Sequence, residues 1–318
     1  VRVIDAITGT VGVQLDPVFG PDDRVLRLVV GVSGDGTRAV VIATTSFDLA
    51  PARAAVFDLA TGAEVGPPID LPTMRASMAL DRTGSVLVVQ AGDHGEATVY
   101  DVASCAQVGA VPAVPDAPPE TGLASSGAFA FAPDGRLFAG SLGTHLRVFE
   151  PGTWRLVGDL AVPQYSTAGL IRFSADGSTL VTQGVWYDPG VGGVQHGSIA
   201  RIDVATGNTL WQVSGHDYGY GECASFAVSE ATDRLWCGNY FGLIRERSLS
   251  TGLRTGATLV NQKGWITDLE LVDAPIGSVL IGMGRNSGNI SRWSVDGGGA
   301  IAHRVAGDRE ILGQLDDG

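Results

Sequence analysis

This chain of 318 residues has little lysine, little cysteine and few charged residues of either sign. Lys263 is its only lysine, it has three cysteines, and charged residues make up 17% of the sequence. The formal net charge is -13 and no run of arginines stands out, which argues against a surface that follows a phosphate backbone. We therefore expect no direct nucleic-acid binding. No apolar run approaches the roughly 20 residues of a membrane-spanning helix, so the sequence predicts no contact with a membrane.

The three cysteines do not form a disulfide framework. Cys223 and Cys237 flank one hairpin, but pairing Ser229 with Arg234 across its turn sets Cys237 opposite Phe226. Since side chains alternate between the faces of a strand, Cys223 then points to the other side of the sheet. Reduced, buried thiols are typical of a cytoplasmic protein.

Glycine and turn-forming residues are abundant. The chain has 45 glycines and 15 prolines, which indicates many tight turns and an all-β protein. Residues 127–160 show the pattern most clearly, because four short apolar runs are separated there by Pro-Asp-Gly and similar turns. This pattern predicts a four-stranded antiparallel meander.

The same unit recurs along the whole chain. The turn before the last strand of each unit ends at Gly9, Gly62, Cys105, Trp154, Gly207, Gly252 and Gly298. The spacings of 43 to 53 residues match the period of β-propeller blades. The second strands are nearly continuous apolar runs, such as AVVIAT and SVLVVQ, as expected for strands buried between two neighbouring blades.

The two ends of the sequence contain partial units. Residues 1–5 and 11–15 match third and fourth strands, whereas residues 311–315 match a first strand. We therefore predict one domain over residues 1–318, a seven-bladed β-propeller of four-stranded antiparallel blades closed by strands from both termini. Because the seventh blade would lack its second strand, we expect a fragment of a longer multidomain chain; six full blades that close imperfectly are the alternative.

Two resemblances bear on function. The unit APDGRLFAGSLGTHLRVFEPGT resembles bacterial WD-repeat propellers, and residues 264–305 resemble the propeller region of actinobacterial multidomain transcriptional regulators with a bacterial transcriptional activator domain and an ATPase module. The resemblance implies a non-enzymatic interaction, scaffold or sensor domain of a larger bacterial regulatory protein. Its partner would be another protein or other domains of the same polypeptide.

Two glycine-rich stretches, 184–197 and 214–222, are predicted to be adjacent loops on one face of the propeller. They contain eight candidate binding residues: Trp186, Tyr187, Asp188, His196, His216, Asp217, Tyr218 and Tyr220. Aromatic rings with a few polar partners on exposed loops are typical of interaction hot spots. Alternatively, the rings pack over the loop glycines and order two long connections.

No catalytic residues, metal site or cofactor are predicted. His94, His145 and His196 are spaced 51 residues apart, but corresponding positions on neighbouring blades diverge radially, so we interpret the spacing as coincidence. No P-loop or dinucleotide fingerprint is present. A hydrolase or lyase with its site in the central funnel is the alternative, as is a small-molecule ligand in that channel; inward-facing carboxylates with shifted pKa values would favour it.

Overall fold

The computed structural model describes fifteen segments of the chain. These are residues 2–4, 11–15, 27–44, 52–72, 76–91, 97–112, 128–142, 145–161, 167–188, 194–214, 223–239, 241–260, 266–274, 277–284 and 290–295. Within them the chain forms 25 β-strands and no helix, so these segments include no helix able to cross a membrane. The prediction of an all-β protein is confirmed.

Five four-stranded antiparallel sheets follow one another, each a meander whose strands pair in chain order. Blade 1 comprises β3 (Arg27–Val32), β4 (Arg38–Thr44), β5 (Ala52–Asp58) and β6 (Ile69–Leu71). Blade 2 comprises β7 (Ala76–Leu80), β8 (Val86–Ala91), β9 (Ala97–Asp101) and β10 (Gln107–Val111). Blade 3 comprises β11 (Phe129–Phe131), β12 (Phe138–Leu142), β13 (His145–Glu150) and β14 (Arg155–Ala161).

The remaining strands continue this order, and two sheets have fewer strands within the described segments. Blade 4 comprises β15 (Thr167–Phe173), β16 (Thr179–Asp188), β17 (Val194–Asp203) and β18 (Thr209–Ser214). Blade 5 comprises β19 (Ser225–Ser229), β20 (Arg234–Gly238), β21 (Leu243–Ser248) and β22 (Arg254–Val260). Blade 6 comprises β23 (Ile266–Ala274), β24 (Gly277–Gly284) and β25 (Ile290–Ser294). The N-terminal pair comprises β1 (Arg2–Ile4) and β2 (Val11–Gln14).

Backbone angles at the turns confirm the predicted repeat. Positive φ recurs at the turn between the first and second strands, at Gly36, Gly84, Gly135, Gly177, Asp233 and Gly277. It recurs again before the fourth strands of blades 1 to 5, at Gly62, Cys105, Trp154, Gly207 and Gly252. Cys105 and Trp154 adopt φ values of 53° and 54°, a conformation that favours glycine, and therefore need a compensating contact.

The hydrophobic core lies between the sheets rather than within one layer. Six apolar clusters each join two consecutive sheets, from the N-terminal pair with blade 1 to blade 5 with blade 6. In β4, Val40 and Ile42 face blade 2 while Ala39 and Val41 face the N-terminal pair, and all four are at most 2% exposed. The predicted burial of second strands on both faces is confirmed.

Near the rim, the five contacts from the N-terminal pair to blade 5 each combine a glycine with a larger side chain. The five pairs, with the earlier sheet first, are Val13 with Gly62, Gly66 with Cys105, Gly109 with Trp154, Leu160 with Gly207 and Trp211 with Gly252. A Cβ on the glycine would lie 2.5 to 3.4 Å from the larger side chain in every pair. Cys105 and Trp154 therefore fill space that a glycine on the preceding blade leaves open.

The cysteine geometry also follows the prediction. Ser229 pairs with Arg234, and Phe226 pairs with Cys237. All three cysteines are free, and the thiol of buried Cys223 donates to the backbone oxygen of Ser225 at 3.2 Å. The pairing places Cys237 where the two-residue alternation of the strand requires it.

Candidate functional site

Much of the stretch 184–197, predicted to be a loop, is β-strand. β16 continues to Asp188 and β17 begins at Val194, so the hairpin has ten residues in each strand. The backbone places Trp186 opposite His196, Tyr187 opposite Gln195 and Asp188 opposite Val194. The loop prediction is wrong there because the two strands continue the pairing of the blade past the local glycines.

This hairpin is longer than its counterpart in blade 3. In blade 3 the corresponding pairing ends at Leu142 with His145, whereas blade 4 adds four further pairs after the equivalent position. Four residues at about 3.3 Å each make an extension of about 13 Å. Within the described segments, pairing with β15 is seen as far as Val185 and pairing with β18 as far as Ser198.

Residues 186–188 and 194–197 continue the pairing of β16 with β17 beyond the length of the blade 3 hairpin; we call this extension the ribbon. It carries Trp186, Tyr187, Asp188 and His196 of the predicted binding patch. The other four candidates, His216, Asp217, Tyr218 and Tyr220, lie outside the described residues. Binding of a partner by these eight side chains stays a prediction.

A tight turn on blade 5 emerges from the same face, because it also joins a second strand to a third. Buried Asn239 organises it: its side-chain oxygen accepts hydrogen bonds from the backbone N–H groups of Phe241 and Leu243, both at 3.0 Å. Its backbone oxygen accepts from the N–H of Ile266 in blade 6 at 3.1 Å. Phe241 is consequently held with 56% of its surface exposed.

Sequence reasoning missed Phe241. The available signal was the segment Asn-Tyr-Phe-Gly, in which an asparagine and a glycine enclose two aromatic residues between apolar strands. Gly242 has a φ of 77°, which closes the turn immediately after Phe241. An aromatic ring held on a short, hydrogen-bonded turn loses little entropy on binding a partner.

A second candidate lies among the innermost strands. Arg172 of β15 donates two hydrogen bonds to the carboxylate of Glu270 in β23, at 2.6 and 3.2 Å. Its guanidinium carbon lies 5.9 Å from the ring centroid of Phe226 in β19. Blades 4, 5 and 6 therefore meet through their first strands, with the charged pair only 14% and 18% exposed.

Asp268 lies two residues before Glu270 in β23, and its pKa is shifted. Burial raises the pKa of Asp268, and the positive charge of Arg172 opposes the shift. A partly buried carboxyl group with a raised pKa can exchange a proton closer to neutral pH. Sequence reasoning named neither Arg172 nor the two carboxylates, because the residues that meet are almost one hundred positions apart.

The opposite face carries a series of carboxylates that stabilise the turns. Hydrogen bonds from the Thr61 hydroxyl to Asp58, the Ser104 hydroxyl to Asp101 and the Thr206 hydroxyl to Asp203 lower the pKa of each aspartate. Asp176 is lowered to a pKa of about 2, first by the backbone N–H of Ser178 and then by the hydroxyls of Ser174 and Ser178. These carboxylates are ionised at neutral pH and hold the turns in place.

No metal-binding group emerges from the described residues: they contain no cluster of three or more His, Cys, Asp or Glu side chains able to hold an ion. His145 begins β13 and His196 lies in β17, while His94 is outside the described segments.

Comparison with solved structures identifies the architecture. The β-propeller domain of Myceliophteria thermophila Cps50 (Swd1) matches with a TM-score of 0.66 at 14% identity, covering 92% of this chain and 89% of that one. The computationally designed Ika8 protein matches with a TM-score of 0.57 at 17% identity, covering 90% and 77%. Kuenenia stuttgartiensis hydrazine synthase matches with a TM-score of 0.60 at 15% identity, covering 84% and 76%.

At these identities the likeness establishes the fold: the chain is a β-propeller. No protein-family model matches the chain, and no curated protein matches its sequence. The comparisons therefore do not extend to the predicted resemblance to actinobacterial transcriptional regulators. Because propellers support many activities, the features that bear on function are the ribbon, the Asn239 turn and the inner cluster.

Proposed function

We propose that this propeller is a non-enzymatic scaffold that binds a protein partner through the face that carries the ribbon and Phe241. The ribbon carries the proposal: blade 4 extends its second and third strands about 13 Å beyond the end of the equivalent strands in blade 3. The four-stranded sheet does not need this extension, because blade 3 closes its equivalent hairpin at Leu142 and His145. An exposed phenylalanine on the next blade adds an aromatic anchor of the kind found at binding hot spots.

We also propose a ring of seven blades. β2 contacts blade 1 through Val13 and Gly62, as the fourth strands of blades 1 to 4 contact the blades that follow them. Leu15 is buried in the same cluster as Phe57 of blade 1. The N-terminal pair would then supply the third and fourth strands of the seventh blade, and residues 311–315, outside the described segments, its first strand. A chain shortened to residue 305 should melt at a lower temperature; an unchanged transition would refute closure from both ends.

The wider context is a proposal from sequence alone. The resemblance of residues 264–305 favours a domain of a larger bacterial regulatory protein in the cytoplasm. Its partners would be other domains of that polypeptide or separate proteins.

Site-specific photo-cross-linking in the native cell tests the scaffold proposal. A benzoylphenylalanine replaces Phe241 on the ribbon face, Leu253 on the rim or Arg136 on the opposite face. Leu253 is 68% exposed and the Arg136 side chain 78%, so all three probes reach solvent. We expect a discrete protein adduct from position 241 and none from the other two. Adducts from either control alone would contradict the proposed face.

The inner cluster favours a second candidate, catalysis or small-ligand binding in the channel. Asp268 has a raised pKa next to Arg172 and Glu270, the feature expected of an acid–base group in a funnel site. If the channel is the functional site, Asp268→Asn should abolish the protein's cellular function while leaving the adduct at position 241 unchanged. Loss of function in a Phe241→Ala variant with retention in Asp268→Asn supports the scaffold.

A further inference from the structure

The first strands of the blades lie at the centre of the molecule. They contact one another across blade boundaries, as β3 does with β7, β7 with β11, β11 with β15 and β19 with β23. In a propeller these innermost strands line the channel along the axis. Arg172 of blade 4 and Glu270 of blade 6 belong to blades that are not adjacent, so they can meet at 2.6 Å only on the channel side of blade 5.

Small residues occupy the same level of the channel on the other described blades. Pairing with the second strands aligns one position of the six first strands, and its residues are Gly31, Ala79, Ala130, Arg172, Ala227 and Glu270. Gly31, Ala79 and Ala130 are partly exposed, and none of them has a side chain longer than a methyl group. Because blades 1 to 3 of a propeller lie across the axis from blades 4 to 6, the channel keeps its width opposite the ion pair.

The charged wall of the channel has one more carboxylate than it has cations. Asp268 and Glu270 are two residues apart in β23 and therefore share a face of the strand. The guanidinium of Arg172 donates twice to Glu270, at 2.6 and 3.2 Å, and once to the backbone oxygen of Leu269 at 3.4 Å. β19 and β24, which contact β23, contain no titratable residue. Two ionised carboxylates and one guanidinium give this wall a net negative charge.

This imbalance favours a positive ligand. Burial raises the pKa of Asp268 although Arg172 is nearby, so ionisation of this carboxyl group costs free energy in the empty channel. A cation bound beside Asp268 offsets that cost and adds a charge-assisted hydrogen bond. An anion is repelled by the two carboxylates, and a neutral molecule supplies no charge. Primary ammonium and guanidinium groups have both the charge and the N–H donors that the carboxylate requires.

We infer that the channel binds a small organic cation, a primary ammonium or guanidinium compound, between Asp268 and the small residues of blades 1 to 3. This inference rests on the channel candidate of the proposed function and names the class of its ligand. The positive group of the ligand donates to the Asp268 carboxylate, and its organic part lies against Gly31, Ala79 and Ala130.

Isothermal titration calorimetry of the complete 318-residue chain tests the inference. The probes are the chloride salts of n-butylammonium and n-butylguanidinium, with n-butanol as the neutral counterpart and sodium butyrate as the anionic one. About 0.15 M salt, at which the Debye length is about 8 Å, screens attraction to the overall negative charge. The same titrations are made on Asp268→Asn and on Asp70→Asn. Each variant removes one carboxylate, and the Asp70 side chain on blade 1 is 79% exposed, so the two variants are matched in charge.

We expect at least one of the two cationic probes to bind the wild type, whereas n-butanol and butyrate should not bind. Affinity for Asp268→Asn should fall by about tenfold or more, because a hydrogen bond to a charged group is lost. Affinity for Asp70→Asn should change by less than about twofold, since exposed charges contribute little. Thermal unfolding checks that each variant folds. The comparison of n-butylammonium with n-butanol on the wild type stays informative if Asp268→Asn does not fold.

Equal affinity of a cationic probe for wild type and Asp268→Asn would overturn the inference. Equal binding of n-butanol and n-butylammonium, or binding of neither cationic probe, would overturn it as well. None of these results refutes the channel candidate, because loss of cellular function in Asp268→Asn is measured separately and would then indicate a ligand of another class. Absence of the adduct at position 241 is the separate outcome that refutes the scaffold.

Discussion

Replacing Gly252 with alanine tests the glycine contacts that join the blades. Gly252 has a φ of 73°, and an added Cβ would lie 2.9 Å from two ring carbons of Trp211 on blade 4. The left-handed backbone costs an alanine about 1–2 kcal/mol. The Trp211 ring cannot move away freely, because its indole N–H donates to the backbone oxygen of Leu249 at 2.8 Å. Overpacking of this kind adds about 1–3 kcal/mol.

The expected total is about 2–5 kcal/mol, the sum of the backbone and packing costs. A chain of 318 residues has an unfolding entropy of about 0.7 kcal/mol/K, so the melting temperature should fall by about 3–7 °C. Differential scanning calorimetry and urea unfolding measure the loss directly.

Gly135→Ala provides the matched control. Gly135 has a φ of 71°, and an added Cβ there would meet no atom within 4 Å. It should therefore lose only the backbone part, about 1–2 kcal/mol. Trp211→Leu introduced into the Gly252→Ala protein should recover part of the difference. Equal losses for the two alanine variants would refute the packing argument.

Three further predictions concern single side chains. Trp154→Gly should lower the free energy of unfolding in urea by about 2–4 kcal/mol, because loss of a buried aromatic ring outweighs relief of the positive φ. An unchanged midpoint of the urea transition would contradict this. Asp176 has a pKa of about 2, lowered from 3.8, so its contribution is full above pH 3.8 and lost as pH falls through about 2. The melting temperatures of wild type and Asp176→Asn should converge towards pH 2, and a pH-independent difference would count against the hydrogen bonds described. Burial raises the pKa of Asp268, so its ionisation destabilises the fold as pH rises above 3.8. The Asp268→Asn variant should therefore be more stable than wild type at pH 7 and equally stable at pH 3. A less stable variant at pH 7 would show that the fold favours the ionised carboxylate.

Local pattern was sufficient for the repeat itself. Each Asp-Gly or related turn could be aligned from sequence, and the two-residue alternation placed Cys237 opposite Phe226 correctly. The double-sided burial of second strands followed from their continuous apolar runs. These features depend on neighbouring residues within one blade, and that is why the sequence predicts them.

Features that depend on two blades were not predictable in the same way. Cys105 and Trp154 look like irregular members of a glycine series until Gly66 and Gly109 of the preceding blades are placed against them. The pairing of Arg172 with Glu270 spans blade 5 and has no local signal.

The ribbon was missed for a different reason. The glycines and Pro189 of this stretch indicate a loop, whereas β16 and β17 continue their antiparallel pairing as far as Asp188 and Val194. Val185 and Trp186 continue that pairing because branched and aromatic residues favour extended backbone. Local turn composition therefore gave the wrong length for this hairpin.

Hydrogen–deuterium exchange of the chain, alone and bound to the partner cross-linked at position 241, tests the central claim most directly. We expect slower exchange in residues 185–188, 194–197 and 239–243 on binding. Exchange in β15 and β23, which hold Arg172, Asp268 and Glu270, should not change. Protection confined to those inner strands, with an unchanged ribbon, would contradict the scaffold and make the channel the functional site.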